Sequence, residues 1–197
     1  MSNKLTLLRE GIPTEIFLLL LLVTVASIAS VVISVRKGGP NAERNLRITV
    51  AVLCLLGLGI AGYVVYTAVI LQELPQCVGG GGGCAVVENS DYSKLFGIHI
   101  SVYGLIGYLA IFGTTVWQGD HARLAAFTLS LFGFGFSLYL TYLELFEIEA
   151  ICQWCVGSAV LMVLIFIAST TRLICYYGLD GGYEVNDDLN EGPEPNS

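Results

Sequence analysis

Cys152-Gln153-Trp154-Cys155-Val156-Gly157-Ser158-Ala159 opens an apolar run that continues without a charge to Thr171. From Ile151 to Thr171 such a run measures about 31 Å as a helix, enough to cross a bilayer. In a helix, Cys152 and Cys155 stand three residues apart on one face, within the first turn. Free N–H groups and the helix dipole there favour a thiolate, and thiols of such motifs ionise below the ordinary range. The bland reading is two small apolar residues in a helix. The redox reading is a pair of sulfurs close enough to bond, at a membrane boundary.

Four further segments have the same character. Ile12–Val35 carries one charge, Glu15, near its start, and Ile48–Leu71 carries none; Ile98–Gln118 and Leu124–Leu143 follow. Ile12–Val35 is too long for the apolar part of a signal peptide, and Arg36 and Lys37 follow it as behind a retained anchor. With 55% hydrophobic and 13% charged residues the whole chain has membrane composition. Its 197 residues leave room for one small bundle. The net charge of −7 is concentrated at one end. Asp180, Glu184, Asp187, Asp188, Glu191 and Glu194 stand there without a Lys or Arg, so residues 175–197 read as an acidic, disordered tail. No basic cluster suggests nucleic acid.

Orientation follows from the cations near the span ends. Arg36, Lys37, Arg44, Arg47, Arg123 and Arg172 fall on one side, and Lys4, Arg9 and Lys94 on the other. The expectation is a multi-pass plasma-membrane protein with its amino terminus outside and its carboxyl terminus cytoplasmic. Residues 36–47 then form a basic cytoplasmic loop. Both close cysteine pairs, Cys77/Cys84 and Cys152/Cys155, lie on the outer side, where disulfides persist. Glu144, Glu147 and Glu149 read as a solvated interfacial turn on that side.

The outer loop, residues 72–97, holds the second constellation. Cys77 and Cys84 bracket Val78 and five glycines, Gly79 to Gly83. Such a segment lets both sulfurs move. It lacks the Gly-Lys-Ser/Thr ending of a phosphate cradle. Asn89 or Ser90 is placed to cap a short helix ended by Gly97, with Tyr92, Leu95 and Phe96 on one face, lying flat as a lid. Cys54 and Cys175 read as ordinary apolar positions.

The order Cys77…Cys84, Ser90, Gly97-Ile98, Gly104-Leu105-Ile106-Gly107-Tyr108, Tyr142-Leu143-Glu144 and Cys152-Gln153-Trp154-Cys155-x-x-Ser158-Ala159 resembles the vitamin K epoxide reductase family, its microbial members most. The resemblance covers roughly Arg47 to Arg172. It implies an all-α membrane protein, a four-helix transmembrane bundle around a quinone, here with one extra N-terminal transmembrane helix. The divisions are 1–45 for that helix and the basic loop, 46–174 for the bundle and 175–197 for the tail. By position, Cys152 and Cys155 are the implied active-site pair, with Cys155 nearer the quinone. Cys77 and Cys84 are the loop pair that takes electrons from a thioredoxin-like partner. With 25 residues after Arg172, too few for a fused partner domain, that partner is expected to be a separate protein.

Ser90 stands where the family keeps a serine beside the loop cysteines, and it is an expected quinone contact together with His99 and Ser101. His99 stands where microbial relatives usually have proline. Ile100 and Ala159 replace the asparagine and tyrosine with which the animal enzymes hydrogen-bond the quinone, so His99 or Ser101 is expected to supply that bond. The implied function is a quinone-dependent thiol oxidoreductase that generates disulfides, with ubiquinone, menaquinone or a vitamin K type quinone as acceptor. Thiol-driven reduction of vitamin K epoxide or quinone is the alternative. Two readings of other classes compete. A structural zinc site has the right count of thiolates, but one pair begins an apolar span and the other flanks glycines, where compact knuckles are wanted. A transporter wants charges at mid-depth, and the spans hold none. No metal is expected.

The orientation is testable. A membrane-impermeant thiol reagent, applied to intact cells after reduction, should label Cys77 or Cys84; labelling only after lysis would reverse the assigned sides.

Overall fold

A computed structural model describes residues 14–37, 39–78, 83–117 and 119–187. Five long helices carry the chain: α1 (Thr14–Lys37), α2 (Gly39–Val65), α4 (Ile100–Val116), α5 (Asp120–Phe146) and α6 (Gln153–Asp187), with a short α3 (Gly83–Glu88) between α2 and α4. Four are long and apolar enough to cross a membrane, over Thr14–Arg36, Asn41–Ile70, Asp120–Phe146 and Gln153–Cys175. The protein is thus an all-α, multi-pass membrane bundle. Helix α4 is shorter, about 26 Å, and a hairpin precedes it at the end of the bundle that holds the cysteine pairs.

Breakers and caps set the boundaries. Pro40 stands in the first turn of α2, where its missing N–H is harmless. The polar stretch Asn41–Arg47, expected as loop, is therefore the first turns of α2. A five-residue π turn, Tyr66–Ile70, ends that span, and the chain then runs extended past a buried Pro75. Gly119, at φ 127°, precedes α5, and Asp120 complements the dipole of its first turn. Helix α6 continues to Asp187, so residues 175–187, expected as the start of the tail, have helical backbone; no proline interrupts them. Residues 1–13 and 188–197 lie outside the described residues.

The expected lid helix is absent; two single turns and a hairpin take its place. Helix α3 ends at Glu88, and a 3-10 turn covers Asp91–Ser93. Strands β1 (Lys94–Leu95) and β2 (Ile98–His99) pair antiparallel, Leu95 opposite Ile98. Phe96 and Gly97 form the turn at φ 53° and 82°, the positive-φ pair that a two-residue hairpin requires. Gly97 is cheap there; Phe96 is not, and its side chain is 92% exposed.

Helix α2 lies against α4 and α6, α5 against α4 and α6, and α1 against α2 and α6. The core joins Val50, Leu53 and Cys54 of α2 to Tyr108 and Ile111 of α4 and to Leu161, Ile165 and Ala168 of α6. At the end away from the four paired cysteines, Glu43 of α2 accepts Arg123 Nε at 3.0 Å and Nη2 at 2.7 Å, and Arg172 Nη2 at 3.2 Å. Arg172, expected at the membrane face, is thus buried, its side chain 2% exposed.

The Tyr108 hydroxyl donates to the Ser158 carbonyl at 3.0 Å and meets Ser158 Oγ at 2.8 Å. Its ring lies on Gly57, where an added Cβ would collide with the ring. At Gly59, one turn face away, an added Cβ meets nothing within 4 Å. Gly57→Ala should cost about 1–3 kcal/mol through overpacking, whereas Gly59→Ala should gain up to about 1 kcal/mol of helix propensity. Thermal unfolding of both variants in detergent measures this; equal melting temperatures would contradict the packing described.

Candidate active site

Two chain breaks meet at one end of the bundle. One is the extended segment after α2, leading to Cys77. The other is the segment between α5 and α6, residues 147–152. Cys77 and Cys84 are joined by a disulfide, Cα atoms 5.6 Å apart, and Cys84 N–H points at Cys77 Sγ at 3.2 Å. Cys84 opens α3 and is 1% exposed. Gly83, before it, lies on the carbonyl of Ile151, the residue before Cys152. Backbone meets backbone, so the loop pair and the helix pair occupy adjacent elements. Of the five glycines expected to confer mobility, Gly83 is needed for this close approach; Gly79–Gly82 lie outside the described residues. Trp154 fastens the other flank. Its Nε1–H donates to the Gln76 carbonyl at 3.1 Å, and its ring lies 4.9 Å from that of Tyr63.

Cys152 is the cap residue of α6: its carbonyl accepts Val156 N–H at 3.0 Å. Cys152 and Cys155 carry free thiols. The neighbouring Cys155 thiol, helped by the N–H groups of Cys155 and Trp154, holds the Cys152 thiol below its ordinary range against the opposing effects of burial and of the Glu144 charge. Cys152 is thus the readier thiolate, as its place at a helix N-terminus implies.

Cys155 faces an apolar chamber of about 520 Å³ between α4 and α5, closed at the cysteine end by the hairpin and Trp154. Its walls include Ile106, Ala110, Phe132, Phe136, Leu140 and Met162. Gly104 and Gly107 of α4 also line it, and an added Cβ at either meets nothing within 4 Å. The volume falls within the roughly 300–1,000 Å³ of small-molecule sites. Ser101 also lines the chamber, and its buried Oγ has no partner. An apolar wall, one orphaned hydroxyl and a reactive thiol fit a quinone ring and its isoprenoid tail.

The other two expected contacts stand elsewhere. His99 is absent from the chamber wall. Its Nδ1 lies 2.7 Å from Glu88 Oε1, on a separate polar cleft of about 470 Å³ lined also by Glu73, Asp91 and Lys94. Ser90 borders both spaces, but its hydroxyl donates to Val87 O at 2.6 Å and caps no helix. Cys54 is sealed in the core, away from both pairs. Among the described residues no cluster of His, Cys, Asp or Glu is arranged to hold a metal.

Glu144 corrects the reading of the α5–α6 turn. Glu147 and Glu149 are exposed as expected, but Glu144 is 5% exposed and lines the chamber. Its Oε2 accepts Cys152 N–H at 3.4 Å, and it shares the chamber wall with Cys155. The signal available in the sequence was its position on the α5 face that carries Leu140 and Ser137.

Residues 48–170 match the model of the Vitamin K epoxide reductase family. The matched stretch begins inside α2 and ends inside α6, and it contains both cysteine pairs, Ser101 and Glu144.

The contact of Gly83 with Ile151 makes one expectation concrete. Gly83→Ala should keep the Cys77–Cys84 disulfide but push α3 off the Cys152 segment. Exchange between the pairs should slow on the order of 10- to 100-fold, as misplacements near 1 Å do. Acid-quenched trapping of the Cys84–Cys152 species measures it; an unchanged rate would show that this contact does not position the sulfurs.

Proposed function

The chain belongs to the vitamin K epoxide reductase family, redox enzymes of the thiol–disulfide type, and from that premise we propose that it generates disulfides by passing electrons from thiols to a membrane quinone. The observation that carries the reading is the stacking at one end of the bundle: loop disulfide, helix dithiol and apolar chamber follow one another, with Cys155 on the chamber wall.

The steps follow from thiol–disulfide exchange, in which a thiolate attacks one sulfur of a disulfide in line. A reduced thioredoxin-like partner, a separate protein, attacks Cys77–Cys84 at the exposed side and leaves oxidised. Cys77 is the half-buried member and meets the partner; Cys84 is buried beside the α6 cap. The Cys84 thiolate attacks Cys152, and Cys155 leaves with the electron pair of the broken S–S bond. Cys77 then closes onto Cys84 and releases Cys152, giving a loop disulfide and a helix dithiol. Helix N–H groups hold the Cys152 thiolate, and the apolar walls keep water from Cys155. A bound quinone supplies a two-electron, two-proton acceptor, and Ser101 Oγ would hold one of its oxygens. We assign both cysteine pairs to the extracytoplasmic side of the plasma membrane, where a quinone pool keeps such a chain oxidising.

Removing Cys77 leaves Cys84 with no loop partner. Cys77→Ala should therefore accumulate a Cys84–Cys152 disulfide with Cys155 free, and should no longer oxidise a thioredoxin-like substrate. Non-reducing digestion and mass spectrometry would show the linked peptides. Cys152–Cys155 still joined, with Cys84 free and quinone present, would refute the shuttle; Cys84 bonded to Cys155 would reverse the roles of the two helix cysteines.

A further inference from the structure

Among the described residues, Glu144 has no lysine or arginine to pair with, yet it is 5% exposed at the end of a membrane-spanning helix. A carboxyl in such a place is costly, and one hydrogen bond does not replace a counter-charge. A leucine would pack against Leu140 and Ile148 without that cost. Glu144 Oε2 accepts the N–H of Cys152, and the residue lines the chamber with Cys155, so one carboxyl stands beside both members of the pair. The other titratable groups on the chamber wall are engaged elsewhere: Glu88 with His99, Tyr103 with Leu95 O, and Tyr108 with Ser158, while Tyr92 is half exposed.

We propose that Glu144 is a catalytic residue, whose carboxylate takes the proton that Cys155 gives up when the helix pair is oxidised and delivers it inside the chamber. The starting state is a Cys152 thiolate, its proton already in outside water, beside a Cys155 thiol. The Cys155 S–H bond breaks, its proton passes to Glu144, and the Cys152–Cys155 bond forms. Two electrons leave to the quinone. One proton reaches the reduced quinone oxygen from Glu144 and the second comes from outside water, so that quinone becomes quinol. Water is the usual acceptor of a thiol proton. On the dry side of Cys155 the carboxyl takes that part, and it stands with Cys155 on the same chamber wall.

The inference rests on the quinone reading above, and its test has one arm free of quinone. In that arm the reduced wild-type protein, stripped of quinone, is oxidised with diamide, which takes up two electrons and two protons, and infrared difference spectra are recorded. With no quinone oxygen to receive it, the proton should stay on Glu144, so a protonated-carboxyl C=O band should appear with the disulfide. It should be missing in Glu144→Gln, an isosteric change that keeps an acceptor for Cys152 N–H. No such band in wild type, or its persistence in the variant, would overturn the proposal, and the wild-type spectrum decides even if the variant does not fold. In the second arm, thiol-driven ubiquinone reduction by Glu144→Gln should fall about 100-fold, the scale of lost general acid–base catalysis. Quinone reduction at the wild-type rate would overturn the proposal as well. A wild-type protein that reduces no quinone yet gains the carboxyl band would instead remove the quinone reading and leave the proton role standing.

Discussion

The contact between the Gly83 backbone and the Ile151 carbonyl is the constraint that brings the two cysteine pairs onto adjacent elements. Disulfide exchange is unforgiving of distance, because the attacking sulfur must lie in line with the bond that it breaks. The two pairs come from segments far apart in the chain, one from a loop and one from a helix cap. Side chains between those segments would hold the sulfurs apart. Glycine lets the two main chains touch, and Trp154, reaching across to Gln76, stops the loop from sliding along the contact. In a bilayer, irregular backbone is tolerated only where protein or water satisfies it. Both irregular segments accordingly sit together at one end, and continuous helices carry the rest of the span.

The opposite end is built on different physics. There a single carboxylate, Glu43, gathers guanidinium groups from α5 and α6, with Asp120 sharing Arg123 at 2.7 Å. Planar, bidentate pairing fixes direction as well as distance. A cluster of this kind adds little net stability over good apolar packing, but it penalises every register of three helices that leaves one charge alone. One end of the bundle is thus specified by charge and the other by close approach, with the Tyr108–Ser158 bond and the apolar core between them.

How much of this was legible depends on whether the signal was local. The spans were, since uncharged runs of membrane length have few alternatives. The two cysteine pairs were visible as close spacings, and the turning of Cys155 toward the chamber was implied by the family resemblance and not by any local pattern. The start of α2 was hidden because Asn41–Arg47 is polar, and its helix is stabilised by Arg123 and Arg172 far along the chain. The lid helix failed although Ser90 and Asp91 gave a fair start signal. The positive-φ turn at Phe96-Gly97 and the contact of His99 with Glu88 favour a hairpin instead, and the same contact takes His99 away from the chamber. Glu144 looked like its neighbours Glu147 and Glu149. What buries it is the return of the chain at Ile151 and Cys152 across the end of α5, which no local pattern announces.

The chamber has a further property in its glycines. Gly104 and Gly107 contribute wall without bulk, and the space beyond their Cα atoms is open. On the proposed function, a quinone ring would be accommodated there by side chains that are missing rather than by side chains that yield. Rigid helices with vacant positions make a mould whose depth changes in steps of one methyl group, with no rearrangement of the walls. A quinone acceptor that differs by a ring substituent could then be sorted by two positions on one face of α4 that carry no side chain of the thiol chemistry.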